Sequence, residues 1–255
     1  MKAIVLGCGT SSGVPRIGND WGACDPDDPR NRRRRASILI EEGPTRILID
    51  TSPDLREQLL SADVSAVDAV IWTHDHADHC HGIDDLRQLY HARGAPVEGY
   101  ARAQTLATLS ARFGYAFAGR DGYPAVANGM ILPDDFSIGD IRIRCVDQPH
   151  GSITSVGLRF DCGGRSIAYA TDFHEMTGAM AALYEGVDLW IVDALRYRPH
   201  PTHPHLAMTL EWIKRLGVGR AVLTHMDHSM DYRTLLGELP ANVVPGIDNM
   251  MIALP

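Results

Sequence analysis

The sequence predicts an α/β domain with a layered plan built twice over. Short runs rich in β-branched and aromatic residues, the pattern of buried strands, alternate with segments of helical apolar spacing along all 255 residues. Strands in both halves run directly into histidine or aspartate. No stretch rich in glycine, serine or proline cleanly separates two units, so one domain over residues 1–255 is expected.

Bulk properties narrow the class. With 45% hydrophobic and 22% charged residues the composition is that of an ordinary globular protein. No apolar run approaches the roughly 20 residues that a membrane span needs, so no membrane partner is expected. Met1 to Cys8 has charged and apolar regions too short for a signal peptide and reads as a first strand. Five scattered cysteines, an odd number, make no disulfide framework. A cytoplasmic location is the expectation. The net charge of -8 disfavours long nucleic acid as a partner, because such binding draws on many phosphate contacts.

Taken in order, a strand over Lys2 to Leu6 enters Gly7-Cys8-Gly9-Thr10-Ser11-Ser12-Gly13-Val14-Pro15, whose glycines permit close backbone approach to a bound group but which lacks the lysine of a P-loop. The acidic Asp25, Asp27 and Asp28 precede a basic run, Arg30 and Arg32 to Arg35. That run is either neutralised by its acidic neighbours or meets a phosphate, and one basic spot on an acidic chain suits a small phosphorylated ligand. Ala36 to Glu41 and Arg46 to Asp50 form a hairpin, and Pro53 to Ala62 a helix. Further helices are expected over Asp84 to Ala92 and Arg102 to Arg112. The Gly- and Pro-containing segment from Gly114 to Asp135 reads as loop without an assigned role.

The strand Val67 to Trp72 is followed by Thr73-His74-Asp75-His76-Ala77-Asp78-His79-Cys80-His81. Four imidazoles and two carboxylates so close together would lose solvation and repel one another without a cation, and nitrogen and oxygen donors suit a borderline divalent ion. The second half repeats the theme. Ile141 to Val146 leads to His150, Ser166 to Ala170 to Asp172, Val187 to Val192 to Asp193, and Arg220 to Thr224 to His225. Loops at one edge of a layered fold converge, so these residues are candidates for a shared metal site. A proline-interrupted loop, Arg198 to Leu206, then precedes a helix over Ala207 to Leu216.

His74-x-His76-x-Asp78-His79, followed by His150, Asp172 and His225, resembles the signature of the metallo-β-lactamase superfamily and covers nearly the whole chain in order. The Gly-x-Gly-Thr-Ser-x-Gly-Val-Pro opening, Leu223 to His228 and Gly246 to Met250 narrow the resemblance to a phosphodiesterase branch. That branch holds ribonuclease Z and the phosphoribosyl cyclic phosphate phosphodiesterases. The resemblance implies a four-layer αββα sandwich with two divalent metals, zinc or manganese, at one edge. One metal would take His74, His76 and His150, the other Asp78, His79 and His225, with Asp172 bridging and Asp78 also counted as catalytic. Attack by activated water on a small, cyclic phosphodiester is implied, with His205, just before the helix, as proton donor to the leaving group. His200 and His203 are expected to be exposed loop residues, and Asp75, His81, His91 and His174 to be structural or to support the ligands from behind.

The family's third, structural zinc is not expected. Of its ligands only Cys24 and His228 have counterparts, with Asn19 and Trp21 at cysteine positions, and two ligands do not close such a site. The expected partner is a small phosphorylated substrate, with a homodimer left open. The alternatives are a ribonuclease, a thioester or lactam hydrolase on the same scaffold, or a non-catalytic binding protein.

Overall fold

The computed structural model describes residues 1–255 and contains two seven-stranded sheets. The first is built from β1 (Lys2–Gly7), β2 (Ser37–Glu42), β3 (Thr45–Ile49), β4 (Ala69–Ile71), β5 (Val97–Ala101), β6 (Ala127–Ile131) and β14 (Met250–Ala253). Its order is β14-β1-β2-β3-β4-β5-β6. The second comprises β7 (Asp135–Ile138), β8 (Ile141–His150), β9 (Ile153–Cys162), β10 (Arg165–Ala170), β11 (Leu189–Asp193), β12 (Arg220–Thr224) and β13 (Val243–Pro245), running β13 to β7 in reverse sequence order. Each sheet has an antiparallel part and a parallel part, β3 to β6 in one and β10 to β13 in the other.

Side-chain alternation explains the layers. On β1, Ala3 and Val5 join the core between the sheets, where Ile38, Ile40, Ile47 and Ile49 meet Ile143, Leu158, Phe160 and Tyr169. Ile4 and Leu6 face the other way, against Leu55 and Leu59 of α1 (Leu55–Ser61) and Leu86 of the helix that follows the histidine motif. That side carries α2 (Ala77–Cys80), α3 (Leu86–Arg93), α4 (Ala103–Arg112) and α5 (Gly114–Ala118). The second sheet is covered by α6 (Gly178–Tyr184), α7 (Leu206–Arg215) and α8 (Tyr232–Glu238), which contribute Met180, Tyr184, Trp212, Ile213 and Leu235. Helices thus flank two packed sheets, the αββα arrangement. No helix is long and apolar enough to cross a membrane.

The segment from Gly114 to Asp135 corrects the sequence reading. It contains α5 and β6 rather than loop alone. β6 pairs only with β5 at the sheet edge and is largely exposed, so it carries little of the apolar alternation that marks a strand. At Gly119, φ +70° and the nearby Tyr123 carbonyl require glycine, and the chain turns there from α5 back to the edge strand.

Candidate metal centre

The parallel strands β4, β10, β11 and β12 all finish at one edge, where open α/β sheets characteristically place their ligands. After β4 the chain stays extended through His76 (φ -66°, ψ 150°) and then enters α2, so the motif presents two histidines from a strand-like segment and Asp78 and His79 from a helical turn. Asp172 comes two residues after β10 and His225 directly after β12, each with φ 57°, and Asp50 follows β3 with φ 65°. A non-glycine residue in the left-handed region costs on the order of 1–3 kcal/mol and persists where its surroundings fix it, typically at functional sites. Here the sharp turn aims each side chain across the sheet edge.

Asp172 lies at the centre. Its Oδ1 is 3.7 Å from His74 Nε2 and 3.5 Å from His150 Nε2. Its Oδ2 is 3.1 Å from His79 Nε2 and 3.5 Å from His225 Nε2. His76 Nδ1 is 3.3 Å from His150 Nε2, and Asp78 Oδ2 lies 3.3 Å from His79 Nε2 and 3.4 Å from His225 Nε2. Two clusters match the expected ligand sets, His74, His76 and His150 with Asp172, and Asp78, His79 and His225, and a third group, Asp172, Asp193, His203 and His225, overlaps both.

Except for His76, these side chains are buried, and the Nε2 atoms of His74 and His79 have no hydrogen-bond partner. Unpaired buried nitrogens converging on carboxylates are costly when empty-handed. They fit a pair of divalent cations, for which imidazole and carboxylate are suitable donors.

The far nitrogens are held from behind. Asp50 Oδ2 is 2.7 Å from His79 Nδ1, and Asp50 itself accepts from Thr73 N at 2.7 Å and Thr73 Oγ1 at 2.9 Å. His74 Nδ1 lies 3.0 Å from Thr73 Oγ1, and His150 Nδ1 donates to the Thr202 carbonyl at 3.0 Å. Such outer contacts fix ring orientation and tautomer.

The electrostatics of the clustered side chains follow from the same contacts. Burial pushes the His225 imidazole down, but Asp172, Asp78 and Asp193 overcome it and raise its pKa to about 9. His79 is likewise held well above the ordinary range by Asp172, Asp78 and Asp50, against burial. Burial, with neighbouring rings, drives His74 well below that range and takes His150 to about 4. Burial acts to raise Asp172, and the surrounding histidines hold it well below the usual carboxylate range. Protons thus supply part of the positive charge that this site demands.

Residues 45–226 match the family model of the beta-lactamase superfamily domain. The chain belongs to the metallo-β-lactamase superfamily. A crystal structure described as a new diphosphatase from the PhnP family is 33% identical, with a TM-score of 0.90 over 100% of this chain and 98% of that one. Zinc-bound PqqB from Methylobacterium extorquens, at 19% identity and a TM-score of 0.81, shares the fold over 100% of both chains. An octanoyltransferase of Porphyromonas gingivalis is 32% identical over 256 residues, covering 98% of this chain and 51% of that protein. This chain therefore spans about half the length of that relative. The ligand-type clusters on this metallo-β-lactamase fold support metal-dependent hydrolase activity.

The two loop histidines before α7 are placed differently from expectation, His203 near the centre and His205 away from it. His205 is the N-cap residue of α7, with its Nδ1 buried and unpartnered, and no hydrogen bond or ion pair joins it to either cluster. The structure brings His203 there instead. The Pro204 carbonyl accepts from Leu195 N and the Arg196 carbonyl from Leu206 N, which pins this loop across the end of β11. His203 then stacks on His225 with ring centroids 4.8 Å apart. Its Nδ1 is 2.8 Å from Asp193 Oδ2 and its Nε2 is 3.7 Å from Asp172 Oδ1. Adjacency to the helix favoured His205 in the sequence, but the residue at a helix start belongs to the helix end. The residue that crosses Asp193 is two positions earlier.

The remaining histidines and acids lie outside the clusters. Asp75 pairs with Arg112 at 3.1 Å, His81 packs edge-on to Phe113, and His174 Nδ1 accepts from Gly151 N. His200 stands at the rim, its ring 5.1 Å from that of His203. Near Cys24 lies the buried guanidinium of Arg33, which donates to the Met230 carbonyl at 2.6 Å and the Asp227 carbonyl at 3.2 Å. Asp50 and Thr202 were not singled out by sequence reasoning. Asp50 could have been found by its place at a strand end, the position shared by Asp172 and Asp193.

Proposed function

We propose that this chain, acting as one unit over residues 1–255, hydrolyses a small phosphodiester, cyclic in its natural form, at a two-metal centre. The division of the Asp172 carboxylate, one oxygen toward each histidine cluster, is the observation that carries this reading. His74, His76 and His150 would hold one ion and Asp78, His79 and His225 the other, with Asp172 between them. Zinc or manganese bound there would lower the pKa of water toward ~7 and neutralise charge on the attacking and leaving oxygens.

The protein's own part is orientation and proton supply. Asp193 accepts from His203 Nδ1, which leaves Nε2 facing the centre; with the ring as imidazolium, protonated at both nitrogens, Nε2–H would donate to the departing alkoxide and the ring would be left neutral. Likeness to a PhnP-family diphosphatase across nearly the whole of both chains supports phosphorus, rather than a lactam or thioester carbonyl, as the atom attacked.

The test joins metal content per chain to hydrolysis of a panel: bis(p-nitrophenyl) phosphate, a cyclic nucleotide, a ribose cyclic phosphate, a structured RNA and a thioester. About two metals with cleavage of the simple or cyclic diesters is expected. Preference for RNA would assign the chain to nuclease chemistry, and preference for the thioester would overturn the phosphorus reading.

A further inference from the structure

Behind Asp172 runs a buried chain of polar side chains that the chemistry above does not use. Tyr184, the last residue of α6, donates its hydroxyl to Gln148 Oε1 at 2.8 Å. Gln148 Nε2 donates to Ser155 Oγ at 2.9 Å and to the Thr171 carbonyl at 3.0 Å, so both amide hydrogens are engaged. Ser155 Oγ in turn donates to the Asp172 carbonyl at 2.7 Å. Tyr184, Gln148, Ser155 and Thr171 are all fully buried. The donors point one way, from α6 to the backbone of Asp172, and neighbouring bonds in such a series strengthen one another.

The sequence provides for this chain on one face of a hairpin. Gln148 and Ser155 stand directly opposite in the β8–β9 register, and His150, two residues beyond Gln148, shares its face of the strand. Gly157, two residues beyond Ser155, leaves the necessary space: a Cβ there would overlap Tyr184 Oη and stand 2.6 Å from Gln148 Oε1. At the far end, Asp172 has φ 57°, which a non-glycine residue keeps only where its surroundings fix it. Its N–H donates to Asp193 Oδ2 at 3.0 Å and its carbonyl accepts from Ser155, so the residue is gripped at both ends. Thr171 Oγ1 donates to Asp172 Oδ2 at 2.6 Å and steadies the carboxylate itself.

We propose that Ser155, oriented by Gln148 and Tyr184, is a positioning residue for the two-metal centre. Its hydroxyl holds the Asp172 backbone in the conformation that divides the carboxylate between the two histidine clusters. This rests on the two-metal reading. Without the Ser155 donor the Asp172 carbonyl loses its grip, the strained backbone relaxes, and the carboxylate no longer serves both clusters. Tyr184 acts at the greatest remove, through two intervening side chains, and should matter less.

The test is zinc binding to the full chain, followed by competition with a chromophoric chelator below the melting temperature of each variant. Wild type should take up two zinc ions. Ser155→Ala should weaken zinc binding at least about tenfold, the size of effect that outer contacts typically carry. Tyr184→Phe keeps the ring stacked on Trp190 and removes only the first donor; it should weaken binding by roughly threefold. Leu158→Ala is the control, a cavity on the opposite, inter-sheet face of the same strand. It should lower the melting temperature of the zinc-free chain at least as far as Ser155→Ala while leaving zinc affinity within about twofold. Wild-type affinity in Ser155→Ala, or an equal loss of affinity in Leu158→Ala, would overturn the assignment. If Ser155→Ala does not fold, Tyr184→Phe decides, and wild-type affinity there overturns it. Fewer than two zinc ions on the wild type would instead remove the two-metal reading, and the role of Ser155 with it.

Discussion

Asp193 holds Nδ1 of His203 at 2.8 Å, and that contact turns the other ring nitrogen of His203 toward Asp172. The pair joins the ends of two parallel strands, since Asp193 closes β11 and Asp172 follows β10. Thr209 Oγ1 on α7 donates to the Asp193 carbonyl at 2.7 Å, so the helix that follows His205 also anchors the residue that orients His203.

A positioned general acid is worth about 10²–10⁴-fold. His203→Ala should therefore lower kcat on a poor leaving group by that range, and far less on p-nitrophenolate, which leaves without a proton. Metal content should stay near that of the wild type. Asp193→Asn should follow the same leaving-group dependence more mildly. His205 makes no capping bond to α7, so His205→Ala should leave rate and leaving-group dependence near the wild type. Leaving-group series on the three variants, with metal analysis of each, check this assignment; a larger loss in His205→Ala than in His203→Ala would reverse it.

Asp172→Ala removes the carboxylate that both clusters share. Metal content should fall well below two per chain, activity should be lost, and added metal should no longer raise the melting temperature. Asp50→Asn acts one contact further out, through His79 Nδ1. An outer-contact loss of this kind typically costs 10–100-fold in metal affinity. Competition with a chromophoric chelator measures both variants on one scale, and wild-type affinity in Asp50→Asn would show that His79 is oriented without it.

The metal-free protein should show a pH dependence of definite sign. His225 has its pKa raised from 6.5 to about 9 by Asp172, Asp78 and Asp193, and His79 is raised by its own carboxylates. A raised native pKa contributes stability that is fully present below the unfolded value and is lost as pH rises through the native one. Chelator-treated protein should accordingly melt at lower temperature as pH goes from 6.5 to 9. Metal binding displaces those protons, so the gap between loaded and chelated protein should widen over the same window. Melting curves of both forms across it, with calorimetric proton release on metal binding, test the sign. A flat metal-free curve would mean that His225 is already neutral.

The layered fold and the gathering of the ligand-type residues were legible because each rests on local signals. Continuous apolar runs at Ala3 to Leu6 and Ile38 to Ile40 mark strands buried on both faces, and His74 to His79 brings together four of the expected ligands, His74, His76, Asp78 and His79. Which loop histidine reaches the centre was not legible in the same way. His203 and His205 differ by two positions in one loop, and the distinction arises from long-range pairing of Pro204 and Leu206 with Leu195 and Arg196. β6 was missed for a related reason, since an exposed edge strand is defined by its neighbour β5 rather than by its own pattern. The arginine run could not be partitioned from sequence, because Arg34 and Arg33 find their partners some two hundred residues away, at Asp248 and Met230.

Arg33 gives the last prediction, on stability rather than chemistry. Its side chain is buried between the first loop and the 227–230 segment, and both carbonyls it serves lie close behind His225 in sequence. Arg33→Met fills much of the volume but leaves those carbonyls without a donor. An unsatisfied buried group costs about 1–3 kcal/mol, so two should give a large drop in denaturation midpoint with little change in kcat for the fraction that remains folded. Arg33→Lys can reach one carbonyl, not both, and should fall between. Urea titrations of the three proteins decide the point. If Arg33→Met unfolds at the wild-type midpoint, water or a local shift satisfies the carbonyls, and the guanidinium is not what ties the first loop to the strand end that carries His225.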